Sequence, residues 1–260
     1  MALSASTLVA FLTLPLVSLF ATSLGDFGQG LRHPLVAPAL RLSLLTTAAS
    51  LALIVGLGTP LAWLIAHQRS RALRVLETVV ELPIVIPPAV AGIALLLAFG
   101  RHGLLSGLLY PSGSSLAFST LAVVMAEVFV AAPFFLQSAV AAFRLLDPEL
   151  VTVARTLGAS PARVFFRIGL PLAAPGLVAG AALSWARALG EFGATLMFAG
   201  NLEGRTTTLP LAIYTALEAD LRAAQAISLV LVVVAFSLLL VIRFAVARPR
   251  DHAARAEVRS

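Results

Sequence analysis

Arg144-Leu-Leu-Asp-Pro-Glu-Leu-Val-Thr-Val-Ala-Arg-Thr-Leu-Gly-Ala-Ser-Pro-Ala-Arg-Val-Phe-Phe-Arg-Ile-Gly-Leu-Pro171 is a long polar stretch in a chain that is otherwise mostly apolar. Its pattern predicts two short helices. Asp147 is a good N-cap, Pro148 fits the first helical position, and Glu149 complements the positive helix start. Leu150, Val153, Ala154 and Leu157 then fall at i, i+3, i+4 and i+7, which makes one apolar stripe. Gly158 can take the left-handed conformation that ends a helix, and Ser160-Pro161 starts another at once. Val164, Phe165 and Ile168 form a second stripe, before Leu170-Pro171 is expected to turn the chain into the next apolar segment. A helix pair this small cannot bury its apolar faces alone. It must pack on helices of its own chain or dock into a groove on a partner.

Outward from this loop, 60% of the 260 residues are hydrophobic and 12% charged, with a mean hydropathy of +1.00, which is too apolar for an ordinary soluble domain. A membrane-spanning helix needs about 20 largely apolar residues. Six stretches qualify, at 5–24, 39–66, 79–99, 116–139, 172–198 and 223–244, so the expected fold class is all-α and polytopic. The first stretch lacks a basic leader and contains Pro15, so it reads as a span and not as a cleaved signal. Residues 1–246 form one membrane domain, and 247–260 a basic tail whose arginines suit anionic lipid and not nucleic acid.

All 18 basic residues are arginine. With the N-terminus inside, inner segments hold 12 of them and outer segments five, and Arg187 falls within a span. Both termini are therefore expected in the cytoplasm. The absence of lysine excludes a P-loop, and the absence of cysteine excludes thiol chemistry and Cys-type zinc sites. His33, His67, His102 and His252 lie too far apart for a metal-binding pair on one helix, so no metal site is expected.

Several spans carry irregularities. Pro83, Pro87 and Pro88 should kink or unwind the third. The fifth holds Pro171, Pro175, Gly176, Gly180, Gly190 and Gly193, which suit either close helix packing or conformational change. Arg187 and Glu191, four apart, should share a helix face and pair with each other or with a neighbouring span. Arg187 either offers an anion a counter-charge near the pore or fixes the helix in an ion pair. Glu127 sits near mid-membrane with no evident partner, where a neutral or hydrogen-bonded structural carboxyl competes with a proton-relay role. Thr195 and Ser184 have hydroxyls suited to hydrogen-bonding a tetrahedral oxyanion.

The long loop resembles the signature loop of bacterial ABC-transporter permeases, Glu-Ala-Ala, three residues, Gly, nine residues, Ile-x-Leu-Pro. Here the frame reads Thr152-Val153-Ala154, Gly158 and Ile168-Gly169-Leu170-Pro171, with both intervals intact and Thr and Val replacing the first two residues. Leu82-Pro83 through Pro87-Pro88, and Val130-Ala131-Ala132-Pro133-Phe134, are also similar to permease spans. The stretches Ala186-Arg187-Ala188-Leu189-Gly190-Glu191-Phe192-Gly193-Ala194-Thr195 and Thr208-Leu209-Pro210-Leu211-Ala212-Ile213-Tyr214 are similar to molybdate permeases, with sulfate permeases as near relatives.

The resemblance implies six spans in a type I ABC importer permease fold with a cytoplasmic coupling loop at 144–171. Asp147, Glu149, Ala154, Leu157, Gly158, Val164, Phe165, Ile168, Leu170 and Pro171 would carry the coupling, and Arg187, Glu191, Thr195 and Glu127 would line the path. It further implies a homodimer in the bacterial inner membrane, two ATP-binding subunits holding ATP and Mg, and an extracytoplasmic oxyanion-binding protein. This chain itself would bind no cofactor and catalyse nothing. Molybdate, with or without tungstate, is the favoured substrate over sulfate or thiosulfate. A proton-coupled secondary carrier using Glu127, Arg187 and Glu191 is the alternative from another class, and it leaves the helix pair at 144–171 without a purpose. An intramembrane hydrolase would need a nucleophile and base, and the chain has no cysteine, no histidine within a span and no evident Ser–Lys pair.

Overall fold

The computed structural model describes residues 2–25, 27–68, 70–109 and 115–247, so Arg69 and the tail from 248 lie outside the described residues. Among the described residues every regular element is helical: α1 (Ala2–Ser23), α2 (Phe27–Gly30), α3 (Val36–His67), α4 (Arg71–Val85), α5 (Pro88–Phe99), α6 (Ser106–Leu109), α7 (Thr120–Arg144), α8 (Pro148–Thr156), α9 (Pro161–Val164), a π-helical turn (Phe165–Gly169), α10 (Leu170–Leu189), α11 (Gly193–Ala199), α12 (Leu209–Ala219) and α13 (Leu221–Ala247). Five helices are long and apolar enough to cross a membrane, and α4 with α5 makes a sixth crossing if the bent pair counts as one.

The third span departs furthest from a simple helix. The chain bends by 118° between its two halves, and its first half starts at Arg71, eight residues before the expected boundary. Pro87 and Pro88 cause the break. Neither has an N–H to donate, and Ile86, preceding a proline, is forced into extended backbone at φ −71° and ψ 128°. Pro88 then occupies the first position of α5, where a missing donor costs nothing.

The fifth span is also divided, against the expected single helix over 172–198. α10 ends at Leu189, three residues intervene, and α11 resumes at Gly193. At its other end the expectation that Pro171 turns the chain fails. Pro161–Leu189 is one continuous 29-residue helical run. The π turn accommodates the proline: the Leu170 N–H reaches back to Phe165 O, which widens the helix where Pro171 has no proton to offer.

α7 is the centre of the bundle. Ala131, Phe135, Ala139 and Phe143 pack with Ile54, Ala62 and Ile65 of α3 and with Ala173 and Ala188 of α10. Ala122, Val123, Ala126 and Val130 at the other end pack with Ala91 and Leu95 of α5 and with Ala194, Phe198 and Ala199 of α11. A third cluster joins Val36 and Ala39 to α12 and α13. Small residues set these distances, as expected where dispersion and not hydrophobicity draws helices together. A Cβ on Gly176 would lie 2.5 Å from that of Ala142, and one on Gly180 would lie 2.7 Å from that of Ser138. α1, by contrast, lies against α13 with its apolar side chains exposed.

Candidate functional site

The helical hairpin at 147–169 forms as its sequence dictates. Asp147 accepts the Glu149 N–H at 2.9 Å, Ser160 accepts the Arg163 N–H at 3.3 Å, and Gly158 between them has φ +83°. The two stripes meet different fates. In the second, Val164 is 1% exposed, and the Phe165 ring stands edge-on to Trp63 at 5.4 Å, which itself meets Phe143 at 5.2 Å. Ile168 is half-buried, and Gly169 lies directly beneath the Trp63 ring, where a Cβ would clash. In the first, Leu150, Val153 and Leu157 are 49%, 55% and 83% exposed, Ala154 is half-buried, and α8 contains no buried residue.

The exposed ridge faces away from the spans. Val151, Thr152 and Arg155, on the opposite side of α8, line a cleft of about 490 Å³ shared with Trp63, His67 and Val164. Thr152, where the permease pattern has an acid, turns its hydroxyl back to Pro148 O at 3.0 Å. Leu170 and Pro171 belong to the start of α10 and not to the exposed ridge. Glu149 is exposed on the flank of α8.

At the opposite end of α10 the charged pair is real, but its geometry corrects the expectation of one helix face. Arg187 is the last basic residue of α10, whereas Glu191 lies in the break beyond it. Glu191 Oε1 accepts the Ala194 N–H at 2.7 Å, which holds the first turn of α11. Its Oε2 lies 2.8 Å from an Arg187 nitrogen, yet off the N–H direction, so it is charge-paired without an aligned hydrogen bond. The side chains are 26% and 1% exposed, so the guanidinium keeps donors available while the carboxylate is sealed in. Thr195, one turn further, is fully buried and its hydroxyl has no partner. Ser184, also buried, donates its hydroxyl to Ala131 O of α7 at 2.9 Å.

Glu127 has the partners that the sequence reading lacked. Thr46 donates to Oε1 at 2.8 Å and Ser50 to Oε2 at 2.7 Å, which ties α7 to α3. The signal was available: Ser43, Thr46, Thr47 and Ser50 fall at i, i+3, i+4 and i+7 on the second span and are all buried. Two contacts that carried no sequence signal join α4 to α7. Glu77 pairs with Arg144 at 2.9 Å, and the Gln137 amide donates to Glu81 at 3.3 Å.

A helical membrane bundle with one broken crossing, a divided fifth span and a hairpin offering an uncovered apolar ridge is the architecture of a transporter's membrane subunit. The chain belongs to the family of binding-protein-dependent transport system inner membrane components, whose pattern matches residues 58–250, and is thus a multi-pass inner-membrane protein. It is 47% identical over 228 residues to the molybdenum transport system permease protein ModB of Mycobacterium tuberculosis, covering 87% of this chain and 86% of the relative. The molybdate/tungstate transport system permease protein WtpB of Pyrococcus abyssi is 33% identical over 249 residues, covering 95% and 94%. Among solved structures, a chain of the bacterial alginate ABC transporter, in complex with its alginate-bound periplasmic protein, superposes with a TM-score of 0.75 at 19% identity, covering 95% and 93%. A chain of the MetNI methionine ABC transporter in an inward-facing conformation gives 0.61 at 20%, covering 85% and 95%. The fold is that of a type I ABC importer permease.

Proposed function

We propose that this chain is the membrane-spanning permease subunit of an ATP-driven importer of molybdate, with tungstate alongside, working by alternating access. Two copies form the pore. Each carries an ATP-binding subunit that holds ATP and Mg, and an extracytoplasmic binding protein delivers the oxyanion. The arginine distribution supports a cytoplasmic location for the hairpin and for both termini.

The observation that carries this reading is the hairpin. One half is anchored in the bundle and the other holds Leu150, Val153 and Leu157 away from it, a shape that suits a lever seated in another protein's groove. A chain without lysine draws its energy from such a partner. Closure of the ATPase pair pushes the two hairpins, and the continuous run Pro161–Leu189 transmits that displacement along the membrane. The substrate assignment is supported by the molybdenum and molybdate/tungstate names of the permeases to which the chain is similar. Arg187 supplies counter-charge to a dianion at the path, and Glu191 neutralises it when the path is empty. Glu127 serves packing, since both its oxygens are satisfied within the α3–α7 contact.

The test is uptake of labelled molybdate, with sulfate as competitor, into vesicles holding the chain with and without its ATPase and binding protein. The expected result is uptake that needs both partners and ATP and resists excess sulfate. Uptake driven by a proton gradient without them would overturn the proposal.

A further inference from the structure

α4 has no fully buried residue, as α8 has none, and a cavity of about 650 Å³ lined by Leu73, Arg74, Glu77, Arg144 and Pro148 joins α4 to the end of α7 and the first residue of α8. Half-buried Leu73 and Val80 give α4 some apolar hold. Its polar attachments to α7 are Glu77–Arg144 and Glu81–Gln137, spaced one turn apart on α4. Arg144 ends α7, three residues before the Asp147 cap that starts the hairpin. A displacement of the hairpin therefore pulls on α4 through this ion pair.

From α4 the connection continues by close packing. Across the Ile86-Pro87 break α4 passes directly into α5, which is pressed against α11. A Cβ on Gly193 would lie 2.8 Å from that of Pro88, and one on Gly92 would lie 2.7 Å from Ala194 O. Ala91, Leu95, Ala194, Phe198 and Ala199 are buried between the two helices, so they move as one body. That body includes the Ala194 N–H held by Glu191.

Resting on the importer reading above, we propose that Glu77 and Arg144, with Glu81 and Gln137 beside them, form a latch. It links the hairpin to the α5–α11 body and so sets the Glu191–Arg187 pair according to the state of the ATPase. Glu77 is a positioning residue, acting through Arg144 and α4 and not by touching substrate. A pair with Arg144 half exposed adds little to stability, so removing it is expected to uncouple the two elements without unfolding the chain.

The test uses the complete transporter in vesicles, with ATP hydrolysis and molybdate uptake measured on the same sample. Wild-type uptake that needs no ATP would reject the importer reading itself, before any variant is compared. With ATP-dependent wild-type uptake in hand, E77Q is expected to hydrolyse ATP within about twofold of wild type while uptake per ATP falls about tenfold. The swap E77R/R144E is expected to recover a large part of it. Unchanged uptake per ATP in E77Q, or a swap no better than E77Q alone, would overturn the latch. Because the chain has no cysteine, spin labels at V79C and A162C, both exposed and off the docking ridge, supply a second readout. Their separation is expected to stay fixed through the ATP cycle when Glu77 is present. A separation that changes in that background would reject the latch even if E77Q fails to fold.

Discussion

Glu127 and Glu191 are both carboxyls sealed within the bundle, and they are built for opposite purposes. Glu127 is met by two hydroxyls from one neighbouring helix, so it joins two long helices without any charged partner. Glu191 stands in a break between helices, with a backbone N–H on one oxygen and an arginine, one quarter exposed, on the other. The first arrangement has no group that an anion could displace. The second holds a cation whose partner is fixed while the cation itself reaches open space. What separates a structural carboxyl from a working one is thus the company it keeps, since the burial of the two is alike.

Substitutions at six positions sharpen or break that contrast. Glu191→Ala strips the partner from Arg187 and should destabilise the solubilised chain by about 3 kcal/mol in unfolding measurements, with uptake lost. Adding Arg187→Ala should recover much of that stability, and a double variant that merely sums the two losses would break the pairing. Next comes Gly193→Ala, which drives a Cβ into Pro88 and should cost about 1–3 kcal/mol. Gly190→Ala, three residues away, meets nothing nearer than 3.7 Å and should stay within about 0.5 kcal/mol in the same thermal scan. Glu127→Gln keeps shape and an acceptor, so its stability loss should be below about 1 kcal/mol, as for other polar contacts between membrane helices. Leu157→Glu on the exposed ridge should change stability as little as Gly190→Ala, within about 0.5 kcal/mol. The same Leu157→Glu should abolish co-purification of the ATP-binding subunit.

The sequence disclosed what local chemistry controls. Asp147, Ser160 and Gly158 cap and end their helices as expected, because capping depends on a few adjacent residues. Pro87-Pro88 announced a disruption in the third span, but not its 118° bend, since the long-range packing of α5 on α11 leaves no local signal. Pro171 misled in the other direction, since a π turn absorbs it without bending the run. The Arg187–Glu191 contact was one of the two outcomes that spacing left open, the other being a partner on a neighbouring span. The break that gives it meaning was not legible, because the Glu191 hydrogen bond to the Ala194 N–H competes with continuation of the helix. Glu77–Arg144 lies 67 residues apart in the chain, and separation on that scale leaves no periodic trace.

The account stands most directly on uptake of labelled molybdate by the E127Q transporter, assembled with its ATPase and binding protein in vesicles, with any proton gradient collapsed. Uptake close to wild type is the predicted result, because Glu127 holds helices and carries no proton. Loss of uptake in a folded, ATP-hydrolysing E127Q complex would contradict it and place Glu127 in the transport step.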